Sequence, residues 1–241
     1  MKGLLENNLS KHFKTYAGEI FRLVEGQHFI ATRKLVDSDE EQRMLEEILD
    51  AAKPLAPKKN KRGELHYLLY TPFRYPPLKT GSRFHTRLEQ SIFYGAEDLH
   101  TAMAEIAYGR GLFMRDSAAK LLPMQVPYTH FVAKVKSQKS LLLTHAPFSK
   151  YRRKISHPSS YTHAQHLGVL MRSFGTELFT YFSARNLAGI NVGLFSVEAF
   201  AQNTPVAGKE VNWSVFITAK TVEFKRAHLI GTQREAHIFS L

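Results

Sequence analysis

The sequence predicts an α+β fold, with mixed short-stranded sheets and helices around them. Three observations predict it. Apolar residues recur at helical spacing in several separate stretches, such as Met44, Leu45, Ile48 and Leu49 or Ala164, Leu167 and Met171. Short runs rich in β-branched and aromatic residues follow one another in quick succession over 178–225. No internal repeat or low-complexity tract breaks this mixture.

Taken in order, residues 12–25 carry Phe13, Ala17, Ile20, Phe21 and Val24 at helical spacing and predict an amphipathic helix. Residues 29–32 read as a short strand or a turn. A second helix starts after Ser38, which stands at capping-box spacing from Glu41, and Pro54 ends it. Its apolar face, like that of the first helix, is expected to cover the domain. Residues 53–62 are basic and contain Pro54 and Pro57, the composition of an exposed linker. The predicted division is therefore a helical extension with its basic linker over 1–62, packed on the core, and a main domain over 63–241.

Residues 65–69 read as a strand. Pro72, Pro76 and Pro77 stiffen the loop that follows, and Gly81 permits a tight turn. A short strand over 92–94 leads into the helix that carries Glu105. Strands are predicted at 121–125, 128–135 and 141–143, with irregular basic chain over 146–158. A helix over 161–174 turns Ala164, Leu167, Leu170, Met171 and Phe174 inward, and Gly175 closes it. Strands at 178–182, 190–195, 211–218 and 221–225 complete the reading.

At 241 residues the chain can bury a sizeable core, and 44% apolar with 12% aromatic residues suits a folded protein. It has no cysteine, which excludes disulfides and thiolate metal sites and is compatible with a reducing compartment. No apolar run near the N-terminus is long enough for a signal peptide or a membrane span, so a cytoplasmic, membrane-free protein is expected. The 33 Lys and Arg against 21 acids give +12, which favours anionic partners. Part of the excess is clustered over 58–62 and 150–154, but no nucleic-acid motif accompanies it.

Chemistry concentrates in residues 71–107. Arg74 and Arg83 are forked donors suited to phosphate or carboxylate, and they flank a proline-rich turn. Glu105 stands among Ala102, Met103, Ala104, Ile106 and Ala107, where a carboxylate is costly unless paired, hydrated or used. Cations, a flat aromatic at Tyr94 and a half-buried acid suit a phosphorylated ligand whose reacting centre becomes positive. The same residues also read as a structural Arg83–Glu105 ion pair beside a core tyrosine. His157, His163 and His166 lie near one another but lack carboxylates at ligand spacing, so no metal is expected. GxGxxG and GxxxxGK[ST] are absent, which leaves arginines, aromatics and loops to hold any nucleotide.

The ordered blocks TPFRYPPL, GSRF, IFYGA, TAMAEIA, YFSAR and GINVGLF, spanning about residues 66–195, resemble the RES-domain family. The resemblance implies an ADP-ribosyltransferase-like fold and an enzyme that consumes NAD as its substrate. It implies Arg83, Glu105 and Ser183 as the catalytic set, with Arg74, Tyr75, Arg83, Tyr94, Ser183 and Arg185 binding NAD. In this reading Glu105 stabilises the positive sugar, Arg83 and Arg74 clamp phosphate or ribose, and nicotinamide stacks on Tyr94. Ser183 donates a hydrogen bond to substrate or Glu105 rather than acting as a nucleophile. The family further implies a toxin paired with an Xre-type antitoxin in an oligomeric complex, with nucleic acid met only through the antitoxin. ADP-ribose would pass to phosphate, water or a protein. Two departures stand out: His85 occupies a position often held by glycine, and the N-terminal segment exceeds the minimal domain. The rival reading is a basic nucleic-acid-binding or scaffold protein on the same fold without catalysis.

Overall fold

The computed structural model describes residues 9–26, 35–75, 80–118, 121–226 and 235–241. Along them run β1 (Lys14–Glu25), α1 (Asp39–Ala52), β2 (Lys59–Asn60), β3 (Gly63–Glu64), α2 (Tyr67–Arg74), β4 (Phe93–Ala96) and α3 (Leu99–Asp116). Then come β5 (Met124–Leu142), α4 (Arg152–Ile155), α5 (Thr162–Ser173), β6 (Leu178–Phe182), β7 (Ile190–Leu194), β8 (Val211–Ile217), β9 (Thr221–Arg226) and β10 (Ala236–Ser240). The α+β class is as the sequence predicts.

The long strand β5 organises the sheet. Its central residues His130, Phe131, Val132 and Ala133 are all buried, as expected of a strand covered on both faces. It pairs antiparallel with β1 and with β8, and its C-terminal end pairs in parallel with β6. The sheet order is β1-β4-β7-β6-β5-β8-β9-β10, and the extra β1–β5 ladder closes the first five strands on themselves. The segments predicted separately at 121–125, 128–135 and 141–143 thus fall largely within this one strand.

Residues 14–25 are strand, not helix. Tyr16, Ile20 and Val24 pack into one apolar cluster, while Phe21 and Leu23 pack into another across the sheet. A strand buried on both faces has no period of two, and here its apolar positions imitate helical spacing. Pairing with β5 over almost the whole strand decides the matter. The central sheet therefore draws strands from both sides of residue 62.

Residues 65–69 also differ from expectation. His66 caps α2, its Nδ1 accepting from the Leu68 amide at 3.3 Å, and Leu68, Leu69 and Phe73 bury one helical face. Pro72 lies inside this helix rather than in a loop. Residues 29–32 and the Pro76–Pro77 pair lie outside the described residues, and β10 was not foreseen.

Helix α1 has the expected capping box, with Ser38 Oγ accepting from the Glu41 amide and Glu41 Oε2 from the Ser38 amide. Its apolar residues do not cover the domain, however: Met44, Ile48 and Leu49 are exposed. Helix α3 is capped by Asp98, whose carboxylate accepts from the Thr101 amide at 2.7 Å and the Thr101 hydroxyl at 2.6 Å. Its Ala102, Met103, Ala107 and Met114 pack toward Trp213, Val215 and Phe224 of the sheet. No described helix is long and apolar enough to cross a membrane.

Helix α5 presses on the turn 81–85, placing Leu167 and Met171 in the cluster that holds Phe84, Phe179 and Tyr181. A Cβ on Gly168 would stand 1.9 Å from the Phe84 carbonyl oxygen. Gly168→Ala is therefore expected to push the turn away and destabilise the protein by roughly 1–3 kcal/mol. Thermal unfolding checks this, and a variant as stable as the parent would show that the turn yields freely.

Candidate active site

Helix α3, strands β1, β4, β6 and β7 and the turn 81–85 together enclose a cleft of about 380 Å³. Glu105 enters it from α3 with its carboxylate only half used. Oε1 accepts from Ser183 Oγ at 2.7 Å and from Asn191 Nδ2 at 2.6 Å, both side chains being buried. Oε2 has no partner among the described residues. Two fixed donors on one oxygen hold the carboxylate in place, and its other oxygen is left for a ligand.

Ser183 is itself committed. Its Oγ accepts from the Arg185 and Asn186 amides at 3.0 Å each while it donates to Glu105. The loop behind it is tied to α3, since Asn186 Nδ2 donates to Thr101 Oγ1 at 2.8 Å. A hydroxyl with its lone pairs filled is a poor nucleophile and a good strut. Ser183→Ala is expected to lower any activity of the cleft by roughly 10- to 100-fold, the worth of one buried hydrogen bond to a charged group. Initial rates check this; loss to background would mark a nucleophile, and full activity would remove Ser183 from the machinery.

Arg83 stands at the tip of a turn made by Gly81, which has φ +70°, and closed by the Ser82 amide donating to the His85 carbonyl at 2.8 Å. Gln165 Nε2 of α5 donates to the Ser82 carbonyl at 3.0 Å and fixes the turn from outside. The Arg83 guanidinium donates to the carbonyls of His157 at 2.7 Å and Ile155 at 3.4 Å, and lies 4.6 Å from the Tyr161 ring centre. Arg83 and Glu105 form no ion pair, so the structural-pair reading does not describe this site.

Two more guanidinium groups line the cleft. Arg185 lies over the Tyr108 ring. Arg22, from β1, donates to the Tyr94 carbonyl and lies 4.7 Å from the Phe93 ring centre. Burial pushes the Arg22 guanidinium down to about 10, still charged near neutrality. Among the described residues none of these three arginines has a carboxylate partner. Tyr94 lines the cleft, and burial pushes its phenol up to about 12. Tyr181, also in the wall, is raised well above the usual tyrosine range, first by burial and then by Glu105. Both stay protonated near neutral pH.

The fold brings together five of the seven residues singled out from sequence: Arg83, Tyr94, Glu105, Ser183 and Arg185. Arg74 is elsewhere, donating from Nε to the Pro54 carbonyl at 2.7 Å and from Nη1 to Asp50 at 3.2 Å. Tyr75 lines a second pocket of about 230 Å³ with Tyr67 and Thr71, and Arg22 is the residue common to both pockets. His157, His163 and His166 are exposed. Arg22, Asn191, Tyr161 and Tyr181 were missed. A cation inside the run Ile20-Phe21-Arg22-Leu23-Val24 carries the same signal as Glu105, but the helical reading of that segment hid it.

Residues 61–214 match the RES domain, more than half of the chain. The protein belongs to the RES-domain family. No curated protein matches the sequence. A solved structure described as the M. tuberculosis MbcT–MbcA toxin–antitoxin complex is similar at 13% identity, covering 91% of this chain and 94% of that one, with a TM-score of 0.48. So distant a likeness carries no inference about residues or reaction.

Proposed function

We propose that this chain is an NAD-consuming toxin-type enzyme that cleaves the nicotinamide–ribose bond. One observation carries the reading: a carboxylate with one oxygen pinned and the other free shares a cleft with three guanidinium groups, none of which has a carboxylate partner among the described residues. Unneutralised guanidinium groups suit the diphosphate of a dinucleotide. As nicotinamide departs, positive charge grows on the ribose, and a fixed carboxylate beside it stabilises that charge and can accept from a ribose hydroxyl. Glu105 Oε2 is available for both.

Arg83 and Arg185 hold the phosphates in this reading, Arg22 adds a third charge, and Tyr94 and Tyr161 flank the bound ligand. ADP-ribose then passes to phosphate, water or a protein side chain. Membership of the RES family supports a toxin held in check by an Xre-type antitoxin, acting in the cytoplasm. The test is incubation of purified protein with NAD, with and without phosphate, and product identification by mass. Release of nicotinamide is expected, and the accompanying ADP-ribosyl product names the acceptor. Absence of nicotinamide release by folded protein overturns the reading.

A further inference from the structure

The Tyr94 hydroxyl, at the back of the cleft, is one end of a chain of polar groups. It lies 2.7 Å from Ser82 Oγ, and Ser82 Oγ is in turn hydrogen-bonded to His85 Nδ1. The Phe84 amide also donates to the Tyr94 oxygen, at 3.3 Å. His85 is buried, at 5% exposure, and its Nε2 has no hydrogen-bond partner. That orphan atom sets the direction of the chain.

If Nε2 carried the proton, a buried N–H would be left unpaired, which native structures almost never tolerate. An unpaired ring acceptor is the lesser cost. The proton therefore belongs on Nδ1, from which it is donated to Ser82 Oγ. Burial and nearby Arg172 lower His85 below the usual histidine range, outweighing Glu89, which acts the other way, so the ring stays neutral. Ser82 then donates to Tyr94. The phenol oxygen accepts from both Ser82 and Phe84, and its proton, which no other described group accepts, is left for solvent or ligand in the cleft that Tyr94 lines, unlike a proton on the enclosed Nε2.

We infer that His85 is a positioning residue which, acting through Ser82, makes Tyr94 a hydrogen-bond donor into the cleft, so that the ligand presents an oxygen acceptor there. Ser82 and Tyr94 both line the cleft, whereas His85 lies behind them. In the opposite direction Tyr94 would spend its proton on Ser82 and offer the ligand only a crowded acceptor. The inference rests on the NAD-cleaving reading for its kinetic consequences, but the tautomer does not depend on it.

Two measurements test it. In ligand-free protein labelled with ¹⁵N-histidine, with His85 assigned by comparison with His85→Asn, the ring is expected as the neutral Nδ1–H tautomer. The Nε2–H tautomer overturns the inference. In initial-rate kinetics of nicotinamide release, Tyr94→Phe, Ser82→Ala and His85→Leu are each expected to raise KM by about 3- to 10-fold, the range of one neutral hydrogen bond. His85→Asn, which keeps a donor near the Nδ1 position, should recover most of the loss. Combining His85→Leu with Tyr94→Phe should give no more than either alone, because both break the same bond. Effects that multiply, or a folded Ser82→Ala variant with the parent's KM, overturn it. If His85→Leu does not fold, Ser82→Ala with Tyr94→Phe supplies the same cycle. A parent protein that releases no nicotinamide defeats the reading of the reaction, and the tautomer then decides the inference by itself.

Discussion

Glu105→Gln is expected to lower NAD cleavage by roughly 10²-fold or more while leaving the fold intact. The substitution is close to isosteric. Its amide oxygen can take the place of Oε1 and keep the hydrogen bonds from Ser183 and Asn191. The amide nitrogen then stands where Oε2 was, a neutral donor in place of a charged acceptor. Ribose loses the group that stabilises its developing positive charge, and the loss falls on the transition state more than on binding. kcat should therefore fall far more than KM changes, with an unfolding temperature near the parent's. A folded variant with near-normal kcat would remove Glu105 from the chemistry.

Arg83→Lys should weaken NAD binding by about 10- to 100-fold, the worth of a lost charge-assisted hydrogen-bonded pair. The guanidinium does three things from one rigid turn: it donates to the carbonyls of His157 and Ile155, lies over Tyr161 and lines the cleft. An ammonium is a compact, strongly hydrated charge and cannot spread donors in one plane. The affected carbonyls lie in the segment that leads to Tyr161 of the cleft wall, so the variant should also loosen the chain there. Titration of NAD against both proteins decides the point. Equal affinity for the Lys variant would make Arg83 a general source of charge rather than a clamp.

The parts of the site that could be read from sequence are those with a local signature. Glu105 is a single acid in an apolar helical stretch, and Arg83 follows a glycine whose positive φ the structure confirms. Arg22 carries a comparable signature, a cation between Phe21 and Leu23, yet the helical reading of residues 12–25 left it unremarked. Arg74 had the better motif and the wrong surroundings. It sits in α2, and its donors go to Asp50 and Pro54 of the segment beside it.

By itself the sequence determined what depends on a few neighbouring residues. The capping box of Ser38 and Glu41, the positive-φ glycines at 81 and 175 and the short strands from β6 to β9 all belong to this class. So does membership of the family, whose blocks keep their order along the chain. Tertiary structure alone decided that residues 14–25 are a strand, because their ladder partners lie more than a hundred residues away in β5. It also decided which oxygen of Glu105 is free, since Ser183 and Asn191 reach it across 78 and 86 residues. Arg22 meets Tyr94 across 72. Periodicity and capping are properties of a few turns of chain, whereas pairing and burial are won by whichever distant segment best satisfies the backbone and the apolar surface.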